Sequence, residues 1–300
     1  MRKILRAVAW SAGALVLMLV VAGGGLYFAS QHRLDRTWSV AGHTVPVPTD
    51  SLALERGRHV AFALSKCADC HRTDLGGGQF IDEAPVARLY APNLTRGKGG
   101  IGAAYTDLDW ERAIRHAVRP NGDGLLFMPS LEFQFLSDDD VGALIAYLKA
   151  LPPVDRESVP NRVGPIGRAL YMKGDLVLVP AERVAHDQHP TAVPMSVSAE
   201  YGKYLAEVGG CTGCHGEGFS GGKIPGTPPD WKPASNITPT GIGHYKEEDF
   251  FRAMREGVRP GGAPIDSLMP FRFTKLMTDD EIRALYLYLR TVPAKPFGGR

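Results

Sequence analysis

The chain has 300 residues, 44% of them hydrophobic and 22% charged, which is the composition of a globular protein and a length that accommodates two ordinary domains. Lysine and arginine number 34 against 32 acidic residues, a net charge of +2, so no strong field favours nucleic acid or an acidic ligand as partner. Gly 35 and Pro 23 exceed average usage and point to many turns and short elements wrapped around something, rather than to extended sheets or long helices.

In chain order, Arg2, Lys3 and Arg6 precede an uncharged run over residues 7–31 whose length suits a membrane-spanning helix. Positive residues ahead of the run predict the N-terminus in the cytoplasm and the body of the chain outside it. A cleaved signal peptide is the rival reading, but its apolar region is shorter, and no convincing A-x-A site follows Phe28. The anchor is therefore assigned to residues 1–31. Residues 32–50, with T-V-P-V-P-T-D, read as a spacer stiffened by proline.

A helix is expected over 52–64, leading into K-C-A-D-C-H-R with Cys67, Cys70 and His71. A second helix over about 107–118 is expected to stop at Pro120, since proline lacks an amide hydrogen and clashes with the preceding turn. A third opens at Ser137 with Asp140 in capping-box spacing and carries Val141, Leu144, Ile145 and Leu148 on one face. The same order then returns. E-R-G-R-H-V at Glu55 is answered by E-Y-G-K-Y-L at Glu200, and the cysteine motif by G-C-T-G-C-H-G with Cys211, Cys214 and His215. A-P-N-L-T at Ala91 is answered by A-S-N-I-T at Ala234, and F-M-P at Phe127 by L-M-P at Leu268. The second copy has its middle helix at 247–258 before Pro260 and its closing helix at Thr278 and Glu281. This is one domain duplicated, at 51–153 and 196–300, with 154–195 a proline-rich connector and not a third domain. Strand-like alternation is nearly absent, so the expected class is all-α.

Cys-x-x-Cys-His is the attachment signature of c-type haem: two thiols reach the vinyl groups on one edge of a porphyrin, and the next histidine turns its imidazole to the iron. Cys67 and Cys70 are thus expected as thioether ligands of one haem c with His71 on its iron, and Cys211 and Cys214 of a second with His215. A redox dithiol or a disulfide needs no following histidine, and zinc needs a second ligand pair near each motif that the sequence does not supply. All four cysteines fall in the two motifs.

Met128 and Met269, each before a proline at equivalent places in the two copies, are the expected sixth ligands, whereas Met254 and Met277 align with Ile114 and Leu136 and read as core. His116 is the competitor, but Glu256 replaces it in the second copy and it lies among charged residues, so a solvated face is expected. His59 aligns with Tyr204 and reads as an ordinary helix position. His186, His189 and His244 are assigned no role. Arg119 and Arg259, directly before the helix-ending prolines, are candidate contacts for haem propionates.

On these residues, C-A-D-C-H with F-M-P and C-T-G-C-H with L-M-P, the chain resembles the membrane-anchored dihaem cytochromes c of bacteria, each copy being similar to a class I cytochrome c. It is related in motif to the multihaem cytochrome subunits of membrane-bound dehydrogenases, although it carries fewer motifs than those. The resemblance implies a few helices around each haem and single-electron transfer on the periplasmic side of the inner membrane, as an anchored carrier or as a subunit of a larger complex, with redox proteins as partners. Closed histidine and methionine ligation leaves no place for a substrate, so an electron carrier is expected and not an enzyme. The rival class is a dihaem peroxidase or sulfur-compound dehydrogenase with one open or displaceable ligand.

Overall fold

The computed structural model describes all of residues 1–300 except 189, 191 and 229. Thirteen α-helices are described: α1 (Arg2–Leu34), α2 (Ser51–His59), α3 (Ala68–His71), α4 (Asp107–His116), α5 (Ser130–Phe133), α6 (Asp138–Ala150), α7 (Pro165–Lys173), α8 (Ala199–Val208), α9 (Cys211–His215), α10 (Pro239–Ile242), α11 (Glu247–Glu256), α12 (Phe271–Thr274) and α13 (Asp279–Leu289). Among the described residues the chain is mostly helical, with a single small sheet.

α1 runs for 33 residues with Ser30 its one buried side chain, and its mean hydropathy reaches 2.2. Among the described residues it is the one helix long and apolar enough to cross a membrane. Its last turns are docked. Arg168 of α7 donates to Ser30 Oγ and Gln31 Oε1, both at 2.8 Å, and its guanidinium lies 4.4 Å from the Tyr27 ring centre. Arg33 grips the Glu182 carboxylate with two nitrogens, at 2.8 and 2.7 Å.

Within each copy the first and last helices cross at a glycine. A Cβ on Gly57 of α2 would fall 2.0 Å from the Ala143 carbonyl oxygen of α6, and one on Gly202 of α8 would meet Ala284 of α13 at the same distance. The backbones therefore touch where any side chain would hold them apart. Asn93 and Asn236 fasten each copy's end to its middle. Each accepts from the amide and hydroxyl of the threonine two residues on, and donates to a carbonyl beyond the last helix, Val154 at 2.6 Å or Lys295 at 2.8 Å.

The stops of the middle helices and the absence of strands in the first copy are corrected, within a fold that is mostly helical as expected. The middle helices end at His116 and Glu256, ahead of Pro120 and Pro260; the stop is a left-handed residue, Ala117 (φ 54°) or Gly257 (φ 68°), that turns the chain over the helix end. The first copy holds an antiparallel hairpin, β1 (Gly78–Glu83) and β2 (Ala87–Ala91), to which the connector adds β3 (Arg162–Val163) in the order β1-β2-β3. A register shift between Gln79 and Ile81 breaks the alternation that reveals a strand in sequence. The spacer also lies along the first domain: the Trp38 amide donates to the Gly122 carbonyl at 2.9 Å and the His43 amide to Glu111 at 3.1 Å.

One hydrophobic core runs through both copies, from Val60 and Leu64 to Leu205 and Ile282. A second, smaller cluster joins Val118 to the connector residues Tyr171, Leu178 and Val179, with Leu34 and Trp38 against it.

Across the domain boundary the two copies exchange polar contacts in a near-symmetric pattern. Asp140, of α6, accepts from Arg56 of its own copy at 2.7 and 2.8 Å and from the Tyr204 hydroxyl of the other. Glu281, its counterpart in α13, accepts from Tyr201 of its own copy at 3.3 Å and from His59 of the other at 2.8 Å. The Ser137–Asp140 capping box is consequently half made: Ser137 Oγ accepts from the Asp140 amide, while the Asp140 carboxylate is committed to the interface.

Candidate haem-binding sites

The first motif lies on α3, directly after a π-helical turn (Val60–Leu64) that ends α2. Cys67, Cys70 and His71 open onto a cleft enclosing about 1050 Å³ of empty space, its open mouth included, and Met128 and Arg119 line the same cleft. Residues 57 positions apart in sequence, His71 and Met128, thus share one apolar chamber with Trp110, Ile114, Phe133, Leu144 and Leu148 among its walls.

His71 is buried, and its Nδ1 lies 2.9 Å from the Pro92 carbonyl oxygen. A carbonyl only accepts, so Nδ1 carries the hydrogen and Nε2 is left with a lone pair. Burial lowers the His71 pKa and keeps the ring neutral, as a metal ligand must be. Burial pushes the Cys67 and Cys70 thiols up to about 12, so both are protonated at neutral pH.

Met128 is held from both sides. The Phe127 amide, at φ 60°, donates to the Leu178 carbonyl of the connector at 2.8 Å, and Ser130 Oγ donates to the Ile114 carbonyl at 2.7 Å. Trp110, in a wall of the same cleft, is 2% exposed, and its indole Nε1 has no hydrogen-bond partner among the described residues. A neutral imidazole with a free lone pair, a thioether, two paired thiols, an apolar chamber and an orphaned donor suited to a carboxylate together fit haem c.

The second motif repeats the local design. Its residues lie on α9, His215 is buried, and its Nδ1 meets the Ser235 carbonyl oxygen at 2.7 Å. Burial lowers the His215 pKa and raises those of Cys211 and Cys214. Met269 is half-buried against the shared core, and behind it Thr274 Oγ1 donates to the Met254 carbonyl at 2.6 Å. Arg259 donates to Ser235 Oγ at 3.3 Å and to the Pro264 carbonyl at 3.2 Å, beside the residue that orients His215. Met254 and Met277 are buried core.

The histidines depart from expectation. His116 is 1% exposed, not solvated: its Nδ1 lies 3.0 Å from Nδ1 of His186, and Glu111 lies beneath it. Spacer and connector cover this face of α4, which the sequence of the helix alone cannot reveal. His186, given no role, is its partner, and His59 is an interdomain contact. His189 lies outside the described residues. The His244 ring stands edge-on to Tyr245.

The cytochrome c family model matches residues 54–152 and again 199–293. The chain is 28% identical over 284 residues to the fructose dehydrogenase cytochrome subunit of Gluconobacter japonicus, covering 86% of this chain and 56% of that protein. It is 30% identical over 278 residues to the cytochrome c subunit of the quinone-type alcohol dehydrogenase of Gluconobacter oxydans, covering 83% and 56%. The chain therefore spans about half the length of these two relatives. With the "diheme cytochrome c-type" protein of Cereibacter sphaeroides it is 28% identical over 314 residues, 93% of this chain and 97% of that one.

Proposed function

The chain belongs to the cytochrome c family, its two matched regions together making up most of its length, and from that premise we propose that it transfers single electrons through two covalently bound haems c. Each haem iron supplies a ferric–ferrous couple, raised in potential by a methionine ligand. In the first domain, 51–153, Cys67 and Cys70 bind the haem covalently, and His71 and Met128 hold its iron. In the second, 196–300, Cys211, Cys214, His215 and Met269 do the same. Arg119 and Arg259 are the proposed propionate contacts, supported by Arg119 in the wall of the first cleft and Arg259 bonded to Ser235.

The observation that carries this reading is the doubled geometry: each motif's imidazole is buried, with Nδ1 spent on a backbone carbonyl and Nε2 available. That bond fixes the tautomer and the plane of the ring before iron arrives, as outer-shell partners of metal-bound histidines do.

α1 anchors the protein in the bacterial inner membrane, N-terminus in the cytoplasm and both domains in the periplasm. Dehydrogenase-subunit relatives, the two above among them, support a place as the cytochrome subunit of a dehydrogenase-like complex, accepting electrons from a catalytic partner; the nearly full-length match to a dihaem cytochrome supports a self-contained two-haem relay.

The test is the visible spectrum of the dithionite-reduced protein with and without carbon monoxide, which binds ferrous iron only where the sixth position is open or weakly held. An unchanged c-type spectrum is expected. A large shift in about half of the haem would instead identify an open iron and favour an enzyme of the peroxidase type.

A further inference from the structure

The two motifs meet. Lys66, the residue before Cys67, sends its ammonium group across the domain boundary to the Gly209 carbonyl, two residues before Cys211, and also reaches the Leu64 carbonyl at 3.3 Å. Glu132, just beyond Met128 and Pro129, covers the second motif from the same side: a Cβ on Gly210 would lie 3.2 Å from its Cγ, and one on Gly213 would lie 3.2 Å from its Oε1. The reciprocal contact is an exposed pair. Arg272, just beyond Met269 and Pro270, binds Asp69 inside the first motif. Each short helix that follows a methionine thus closes over the other domain's cysteine motif.

The arrangement is symmetric in backbone but not in charge. Lys66 aligns with Gly210 and Asp69 with Gly213, so the second copy returns neither charge. One half-buried cation and one half-buried carboxylate, both from the first domain, therefore lie where the two motifs meet.

We propose that Lys66 is a positioning residue shared by the two redox centres, its cation favouring the reduced state of both, with Glu132 as the opposing charge. This rests on the two-haem reading above. An oxidised haem carries one more positive charge than a reduced one, so a nearby fixed cation destabilises the oxidised form and a carboxylate does the reverse. Half-buried charges act through a lower effective dielectric than fully solvated ones and so reach further. Asp69 and Arg272 are both exposed and solvated, so removing either charge has little leverage.

The experiment is a spectroelectrochemical titration of the full chain in mild detergent, with the haem count of each variant fixed by intact mass. Lys66→Gln is expected to lower both midpoints, with the reduced-to-oxidised ratio at the wild-type midpoints falling about threefold or more. Glu132→Gln is expected to move them the other way, and Arg272→Gln to leave them in place. Opposite shifts from two neighbours cannot come from loosened packing, which acts in one direction. Unchanged midpoints, or shifts of the same sign, in variants that retain both haems would overturn the assignment. If Lys66→Gln fails to fold, Glu132→Gln alone decides: no rise in the midpoints ends the proposal. A wild-type chain with fewer than two attached haems would overturn the two-haem reading, and this inference with it.

Discussion

His59 Nε2 lies 2.8 and 2.9 Å from the two carboxylate oxygens of Glu281, 222 residues further along the chain. Neither residue belongs to a haem motif, yet together with Arg56 they join the first helix of one domain to the last helix of the other. Glu281 is 3% exposed, so its charge persists there only because these partners replace water.

Acid should undo this contact. Burial alone would raise the Glu281 carboxyl, but His59, the Thr278 amide and the Arg56 charge outweigh it and hold the group below the ordinary carboxylate range. A depressed folded-state pKa contributes stability in full above the unfolded value near 4.5, and that contribution disappears as pH falls through the lower folded value. Thermal melts should therefore show a declining acid limb that Glu281→Gln flattens. At neutral pH the same variant should lose about 2–4 kcal/mol, because Arg56 and His59 then face an uncharged amide. Superimposable acid limbs for wild type and variant would exclude Glu281 as the titrating group.

At Gly57 and Gly202 the usual sign of a substitution is reversed. Glycine to alanine inside a helix ordinarily stabilises by about 0.5–1 kcal/mol. Here the new methyl would stand 2.0 Å from a backbone carbonyl oxygen of the crossing helix, where nothing can rotate away. Gly57→Ala and Gly202→Ala should each destabilise by about 3 kcal/mol or more, as overpacking does, each in its own domain. Denaturant titrations would check this, and a gain in stability from either would mean the crossing relaxes freely.

The motifs, the repeat and the helix starts were legible because each depends on residues close in sequence: Cys67 to His71, Ser137 before α6, Thr278 before α13. The glycines of E-R-G and E-Y-G were visible as repeated letters, but their purpose, a backbone crossing, needs the partner helix. His116 reads as solvated because its helix is rich in charge; it is buried because residues 38–43 and His186, distant in sequence, cover that face. The interface is the least legible part. Lys66, Glu132 and Glu281 differ in type from their repeat partners Gly210, Phe273 and Asp140 or gain their contacts only across the boundary, so comparing the copies by eye does not connect them.

α1 is wired to the cleft of the first motif. Arg33, in the last turn of α1, binds Glu182, stacks 4.1 Å from the Tyr171 ring centre and donates to the Tyr171 carbonyl at 3.0 Å. Tyr171 packs with Leu178 in the smaller core cluster, and the Leu178 carbonyl holds the amide of Phe127, next to Met128. Removing the guanidinium also removes the packing of its stem, so Arg33→Ala should cost about 1–2 kcal/mol locally and leave the shared core intact. Hydrogen exchange of the detergent-solubilised chain should then quicken over residues 165–184 and at the Phe127 amide, with α8 and α13 unchanged. If the Phe127 amide keeps its protection while the connector loosens, the Met128 loop is held by Ser130 alone and α1 does not bear on the first cleft.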